Sequence, residues 1–379
     1  MVFNSYTFIV FFGCVMGAYY GLRSWRARKA LLLVASYLFY AAWNPPFVVL
    51  LWCSTLADWF AARFIHKATS QKRRHVGLAV TLGVNFGLLG FFKYGTFLLD
   101  NFLCLAEALG VHLTVAKPSI VLPVGISFYT FQTLSFTLDV YRGHMRPPSS
   151  FLDYALYVTF FPQLVAGPIV RAVDFLPQCH EPKRFSGQRV GWGCALMILG
   201  LFQKIAVADG LLAAVVEPVY DGKAFPSCAS AWAGTLAFAG EIFCDFAGYS
   251  TCAIGAAMCL GFGLGENFRF PYAAIGFSDF WRRWHISLSS WLRDYLYIPL
   301  GGNRHGNTYV NLAVTMLLGG LWHGASWTFV AWGGLHGLYL AVERVGRRGP
   351  GVMSVMDKMP RLVLAGGTFL LVCVTWVFF

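Results

Sequence analysis

Few side chains in this sequence stand where they can move a proton inside an apolar segment, and their spacing narrows the chemistry. His323 lies in LWHGASW (321–327), among Leu321, Trp322, Gly324, Ala325 and Trp327. His285 lies in RRWHISLS (282–289), and His336 follows His323 by thirteen residues. Two further pairs, Glu241 with Asp245 and Lys204 with Asp209, interrupt other apolar runs. Ionisable groups inside membrane segments are expensive to hold there and are functional candidates by default. A neutral imidazole in such surroundings can take the proton of a hydroxyl, as acyl transfer from a thioester requires. Glu241 and Asp245 are four apart, hence on one helical face, and could hold a cation or a proton. No third carboxylate stands near them, so inward polar packing is the reading taken and no metal site is expected.

Absent motifs restrict the chemistry further. The chain has no GxSxG elbow, no HExxH and no phosphate-binding glycine loop. None of its nine histidines has an aspartate five residues later, which excludes the HxxxxD arrangement of glycerolipid acyltransferases. If the protein is an enzyme, a solitary histidine carries the proton work.

The segments that must position these residues are apolar helices. Of 379 residues, 57% are hydrophobic and 12% charged, about half the roughly 25% charge of a soluble domain. Runs such as 29–51, 76–92, 190–216 and 308–342 match the roughly 20 helical residues that cross a bilayer. The expected fold is all-α: a polytopic membrane protein, one domain over 1–379, with 9–11 transmembrane or re-entrant helices and no separate soluble domain. The first 22 residues read as a span rather than a signal peptide, because no basic residue precedes their apolar run. The net charge of +12 does not mark a nucleic-acid binder. It sits in short clusters between spans, at 23–29, 66–75, 142–146, 181–189 and 343–348. That pattern places these loops in the cytoplasm, against anionic lipid, and the N-terminus outside. The ten cysteines include no CxxC pair and read as reduced core thiols.

Crossings are expected at 5–22, 29–50, 47–65, 76–99, 121–141, 190–216 and 229–263, with a last span at 361–379. Basic loops flank 151–170 on both sides, so that segment should be a re-entrant hairpin broken at Pro162, Gly167 and Pro168. Residues 265–306 form a cytoplasmic or interfacial segment. Within it Phe280, Trp284, Leu288, Trp291 and Tyr295 fall on one helical face, and Arg282, Ser289 and Arg293 on the other. One amphipathic helix is expected there, with His285 at the edge of its apolar stripe. Residues 308–342 have basic flanks at both ends, which requires a hairpin with its apex at WHGAS and His323 at membrane depth.

The stretches FWRRWHISLSSWLRDYLYIPLGGNR (280–304) and LWHGASWTFVAWGGLHG (321–337) closely resemble the membrane-bound O-acyltransferase family. The likeness is strongest to the bacterial branch that O-acetylates exopolysaccharides such as alginate. It extends from about Leu122 to Glu343 through 125–143, 160–171 and 241–262. The resemblance implies a ring of tilted helices around a thin centre, pierced by a tunnel, in the bacterial inner membrane. It implies that His323, in the WHG motif, is catalytic and that His285 lines the same site. It implies acetyl-CoA as co-substrate, no bound cofactor, and a periplasmic acceptor protein or polysaccharide machinery as partner. On that footing 308–342 is a catalytic hairpin, and Arg282, Arg283 and Arg293 are candidates for the phosphates of CoA. Trp322, Ser289 and Asp245 are candidates to line the tunnel, and Gly324 and Ala325 are expected to leave room for a substrate.

Plainer readings stand beside these. His336 suits a helix–helix hydrogen bond, His285 an interfacial helix, and the arginines lipid headgroups. Transfer of D-alanine to teichoic acid is the alternative within the class. A proton-coupled transporter using His323 and Glu241/Asp245 is the alternative outside it, although the internal repeat expected of one is not evident. The polysaccharide acetylases of the resembled branch run well beyond residue 379, so further C-terminal helices are expected to be lacking here.

Overall fold

Serine and asparagine start most of the helices. Ser5, Ser24, Ser70, Ser150, Ser186, Ser227 and Asn307 each accept a first-turn backbone N–H through the side chain, the N-cap arrangement that satisfies an otherwise orphaned donor. The computed structural model describes residues 1–116, 118–165, 167–222, 226–347, 349 and 358–379. Residues 223–225, between the crossings expected at 190–216 and 229–263, and Arg348 of the last basic cluster lie outside the described residues. In order, the helices are α1 (Tyr6–Gly21), α2 (Trp25–Ala41), α3 (Val48–Lys67) and α4 (Gln71–Ala108). They continue with α5 (Ile126–Arg142), α6 (Phe151–Thr159), α7 (Gly187–Tyr220) and α8 (Cys228–Cys259). The last are α9 (Phe277–Arg283), α10 (Ile286–Leu292), α11 (Thr308–His323), α12 (Trp327–Gly346) and α13 (Arg361–Trp376).

The protein is an all-α polytopic membrane protein. Among the described residues four helices are long and apolar enough to cross a membrane, those containing α3, α4, α7 and α8, and α1 and α13 are shorter apolar helices. The 16 residues of α1 rise only about 24 Å at 1.5 Å per residue. Helix α5 begins at Ile126, later than the expected 121, and is buried on nearly all sides, its Thr130, Gln132, Thr133, Ser135 and Thr137 included. It is a core strut rather than a lipid-facing span.

Hydrogen bonds tie several arginines to distant parts of the chain. Arg28 Nη1 donates to the Lys183 carbonyl at 2.8 Å, Arg63 Nη2 to Pro148 at 3.1 Å and Arg142 Nη1 to Asp294 at 3.2 Å. Arg344 Nη1 donates to Asn303 Oδ1 at 2.8 Å. The clusters 23–29 and 181–189, far apart along the chain, thus meet in the fold.

Close helix crossings rest on glycine. A Cβ at Gly193 of α7 would lie 2.7 Å from the Gly255 carbonyl of α8, and one at Gly200 would meet the Gly248 carbonyl. Such small-residue seams let backbones touch where lipid supplies no hydrophobic drive. The ten cysteines are free, and Cys252 and Cys259 are buried along this seam.

The segment 151–170 is broken twice: at Phe160, between α6 and the helical turn Phe161–Leu164 that contains Pro162, and again after Leu164, where Gly167 and Pro168 lie in non-helical backbone as expected. Tyr154, Tyr157, Phe160 and Phe161 are fully buried, so protein surrounds the interrupted backbone. Asp153 of α6 pairs with Lys29 of α2, and Lys29 Nζ also donates to the Cys179 carbonyl at 3.2 Å. Removing one partner of a buried ion pair costs about 3–5 kcal/mol, whereas replacing both with apolar groups is often neutral. We therefore expect Asp153→Ala to lower the thermal midpoint of the detergent-solubilised protein markedly and Lys29→Met/Asp153→Leu to recover most of it. Equal midpoints for the single and double variants contradict this account.

Candidate active site

Helix α11 stops at His323, where Gly324 turns the backbone extended (φ −158°, ψ 151°), and α12 resumes at Trp327. The apex of this hairpin falls at 324–326, and His323 is the last helical residue before it. The imidazole is ringed by aromatics, with centroids 4.9 Å from Trp322, 5.0 Å from Trp332 and 4.9 Å from Phe379. Among the described residues its nitrogens make no hydrogen bond.

Gly324 plays a different part from the one expected. A Cβ there would collide with the ring of Phe329, so the missing side chain admits that ring. The space beside Gly324 is filled by protein and is not left for a substrate.

The amphipathic segment is likewise not one helix. The aromatic stripe from Phe280 to Tyr295 is interrupted at His285, which adopts φ 42°, ψ 55°. A left-handed conformation costs a non-glycine residue roughly 1–2 kcal/mol, and such strain concentrates at functional positions. Asn267 holds the break. Its carbonyl accepts from the Ile286 N–H at 2.9 Å, and its Oδ1 accepts from Ser287 Oγ at 2.9 Å. The kink turns His285 inward, edge-on to Phe246 at 4.7 Å and with its centroid 6.4 Å from that of His323. Its ring is buried, and neither nitrogen has a partner among the described residues. Helical periodicity cannot reveal such a reversal, because the pattern of apolar residues continues through it.

Both imidazoles line a cavity of about 370 Å³, together with Trp284, Trp322, Asp245 and Phe379. The segment entering α5, Leu122 to Gly125, also lines it. Asp245 is ion-paired with Lys204, which also donates to Asp209 Oδ1 at 2.7 Å, so Asp245 of the carboxylate pair joins the Lys204–Asp209 pair. Lys93 of α4 lines the cavity too. Sequence reading passed over it, although a lone cation in FFKYGTF (91–97) carries the same signal that singled out the histidines.

Ser289, Arg282 and Arg293 lie elsewhere. They line a second cavity of about 340 Å³ with Trp281, Ile286 and Tyr297. Ser289, expected along the same lining as the histidines, is thus on the other side of the His285 break, its Oγ donating to the Trp284 carbonyl at 3.0 Å. An adjoining cavity shares Ser278 and Tyr297 and adds Arg344 and Arg347, which sequence reading had grouped only as loop charge. Arg283 lines neither of these cavities and instead binds Asp279 at 3.0 Å. Burial raises the Asp279 carboxyl, but hydrogen bonds from Arg283 and the Ile275 amide outweigh it and hold the group below the usual carboxylate range. His336 also stays outside the histidine cavity, its Nε2 3.1 Å from Thr375 Oγ1 on α13. That is a helix–helix hydrogen bond.

The arrangement offers two unpartnered imidazoles at one end of an apolar chamber and arginines across a kink from them. It is suited to removing a hydroxyl proton beside a polarised carbonyl. Comparison with known proteins points the same way. A model of the membrane-bound O-acyltransferase family matches residues 36–372. The chain is 41% identical over 386 residues to a probable alginate O-acetylase of Pseudomonas putida, covering 100% of this chain and 77% of the relative. It is 36% identical over 379 residues to a peptidoglycan O-acetyltransferase of Helicobacter pylori, covering 93% and 70%. It is 26% identical over 239 residues to a teichoic acid D-alanyltransferase of Streptococcus thermophilus, covering 58% and 56%.

Proposed function

The chain belongs to the membrane-bound O-acyltransferase family and is an O-acyltransferase, and from that premise we propose that it moves acetyl groups from cytoplasmic acetyl-CoA to a hydroxyl acceptor for an exported polysaccharide such as alginate. The observation that carries this reading is the arrangement of three cavities about the His285 kink: one lined by the two histidines, one by Arg282 and Arg293, and one adjoining the latter by Arg344 and Arg347. Acetyl is preferred to D-alanyl because relatives near 40% identity over the whole chain are O-acetylases, whereas the D-alanyltransferase likeness covers 58% of it.

In this reading the nucleotide phosphates of CoA rest among the arginines on the basic, cytoplasmic face. The thioester reaches past the kink to the histidine chamber. The acceptor hydroxyl enters from the opposite side, where 122–125 border the cavity. His323 takes the hydroxyl proton as the oxygen attacks the thioester carbonyl. His285, with neither nitrogen committed, donates to the carbonyl oxygen as it gains charge. Collapse of the tetrahedral intermediate breaks the C–S bond, and the proton held by His323 passes to the departing thiolate. The product is an ester on the polysaccharide, or on a periplasmic carrier protein that relays it, and the enzyme works in the inner membrane.

Vesicles test the direction. Radiolabelled acetyl-CoA should label the acceptor when supplied to inverted membrane vesicles and not when supplied to sealed right-side-out ones. Equal labelling in both orientations overturns the cytoplasmic donor. For Arg282→Ala/Arg293→Ala, the KM for acetyl-CoA should rise about tenfold while kcat stays within about threefold, the signature of lost ground-state binding. A fall in kcat at constant KM removes the arginines from the donor site.

A further inference from the structure

Helix α4 meets the catalytic hairpin at its most consequential point. Lys93 Nζ donates to the carbonyl of Trp322 and, at 3.2 Å, to Ser127 Oγ. The neighbouring Tyr94 donates its hydroxyl to the carbonyl of Leu321 at 2.8 Å. Two turns further along, Asn101 Oδ1 accepts from the indole of Trp327 at 2.9 Å, across the apex on α12. Three residues of one helix therefore hold both ends of the four-residue stretch 323–326, which contains His323.

The local chemistry explains why these groups meet. The last carbonyls of a helix have no amide four residues ahead, and a cation near that end satisfies them and complements the helix dipole. Leu321 and Trp322 are such carbonyls, because α11 ends at His323. In a regular α-helix, consecutive side chains diverge by about 100°. Here Gly90–Tyr94 form a wide π turn, a feature recurrent at functional sites, and it presents Lys93 and Tyr94 to successive carbonyls. Among the described residues no carboxylate lies within ion-pair distance of Lys93. A membrane-embedded lysine without a counter-ion is costly to keep, and its ammonium stands 5.4 Å from the centroid of the Trp322 ring, on the wall of the histidine cavity.

The geometry points to Lys93 and Tyr94 as positioning residues for acyl transfer: through the carbonyls of Trp322 and Leu321 they fix the C-terminal turn of α11 and so the placement of His323. This inference rests on the reading of His323 as the base. Neither residue has to touch substrate. Their work is to stop the hairpin end from drifting, since a displacement of about 1 Å at a reacting group can cost roughly 10²-fold in rate.

Kinetics in inverted membrane vesicles with acetyl-CoA as donor test it. Lys93→Met should lower kcat about 10- to 100-fold with the KM for acetyl-CoA within about twofold, and Tyr94→Phe should lower kcat by a smaller factor. Lys93→Arg, which keeps the charge and the donors, should recover a substantial part of the activity. A second readout is independent of turnover: the rate at which diethyl pyrocarbonate modifies His323, followed by peptide mass spectrometry. That rate should change in Lys93→Met and not at His144, whose side chain is 66% exposed. An unchanged kcat per folded protein, or an unchanged His323 modification rate, overturns the proposal. If instead His323→Ala stays active while Lys93→Met still alters His323 modification, the catalytic reading fails and the contact stands.

Discussion

His323→Ala is expected to cut acetylation of the proposed envelope polymer severely at unchanged protein level, with kcat falling by about 10²–10⁴-fold, the usual contribution of a positioned general base. The size of the effect follows from the surroundings. Trp322, Trp332 and Phe379 ring the imidazole at about 5 Å, and no carboxylate lines the chamber among the described residues except Asp245, which is committed to Lys204. His285 stands 6.4 Å away between ring centroids, on a backbone position with φ 42°. His323→Gln, which keeps a polar side chain of similar reach but cannot hold the proton, should be as inactive as the alanine variant. Polymer acetyl content measured in cells, against immunoblotted protein, decides the matter. Wild-type acetylation in either variant sinks the assignment of His323 as base.

Gly320→Leu should remove folded protein from the membrane almost completely. Gly320 lies where α11 crosses α12. A Cβ there would strike the carbonyl of Phe329 and sit 3.1 Å from the Cα of Gly333. Gly333 in turn has the carbonyl of Met316 where its own Cβ would be. The obstructing atoms are backbone, so no rotamer change makes room and the two arms must separate. Overpacking of side chains alone costs about 1–3 kcal/mol; here a whole crossing is lost, against a total stability of about 5–15 kcal/mol. Gly366→Leu on α13, where a Cβ meets nothing within 4 Å, is the control and should accumulate normally. The comparison is read from monodisperse protein recovered by size-exclusion chromatography. Equal recovery of both variants would falsify the crossing as a constraint.

What the sequence determined by itself was whatever adds up along the chain. Hydropathy placed the protein in a membrane, and charge led to the expectation of a hairpin over 308–342 whose end carries His323. The broken character of 151–170 followed from the same sums, because basic flanks on both sides forbid a crossing. The long, specific stretches 280–304 and 321–337 carried the family. None of this depends on which residues meet across the fold.

Tertiary structure decided what depends on such meetings. The kink at His285 exists because Asn267, on a preceding loop, captures the Ile286 amide and the Ser287 hydroxyl; the apolar period runs through the kink unaltered. The kink turns His285 into one cavity, while Ser289, Arg282 and Arg293 line another. Gly324 looked like open space and is filled by Phe329, a ring five residues along on the other arm. Lys93 lies 229 residues from Trp322 in sequence yet bonds to its carbonyl. Periodicity and local charge report the face on which a residue stands. They carry no information about which distant backbone group closes over it, and in this protein those closures set the position of the imidazole.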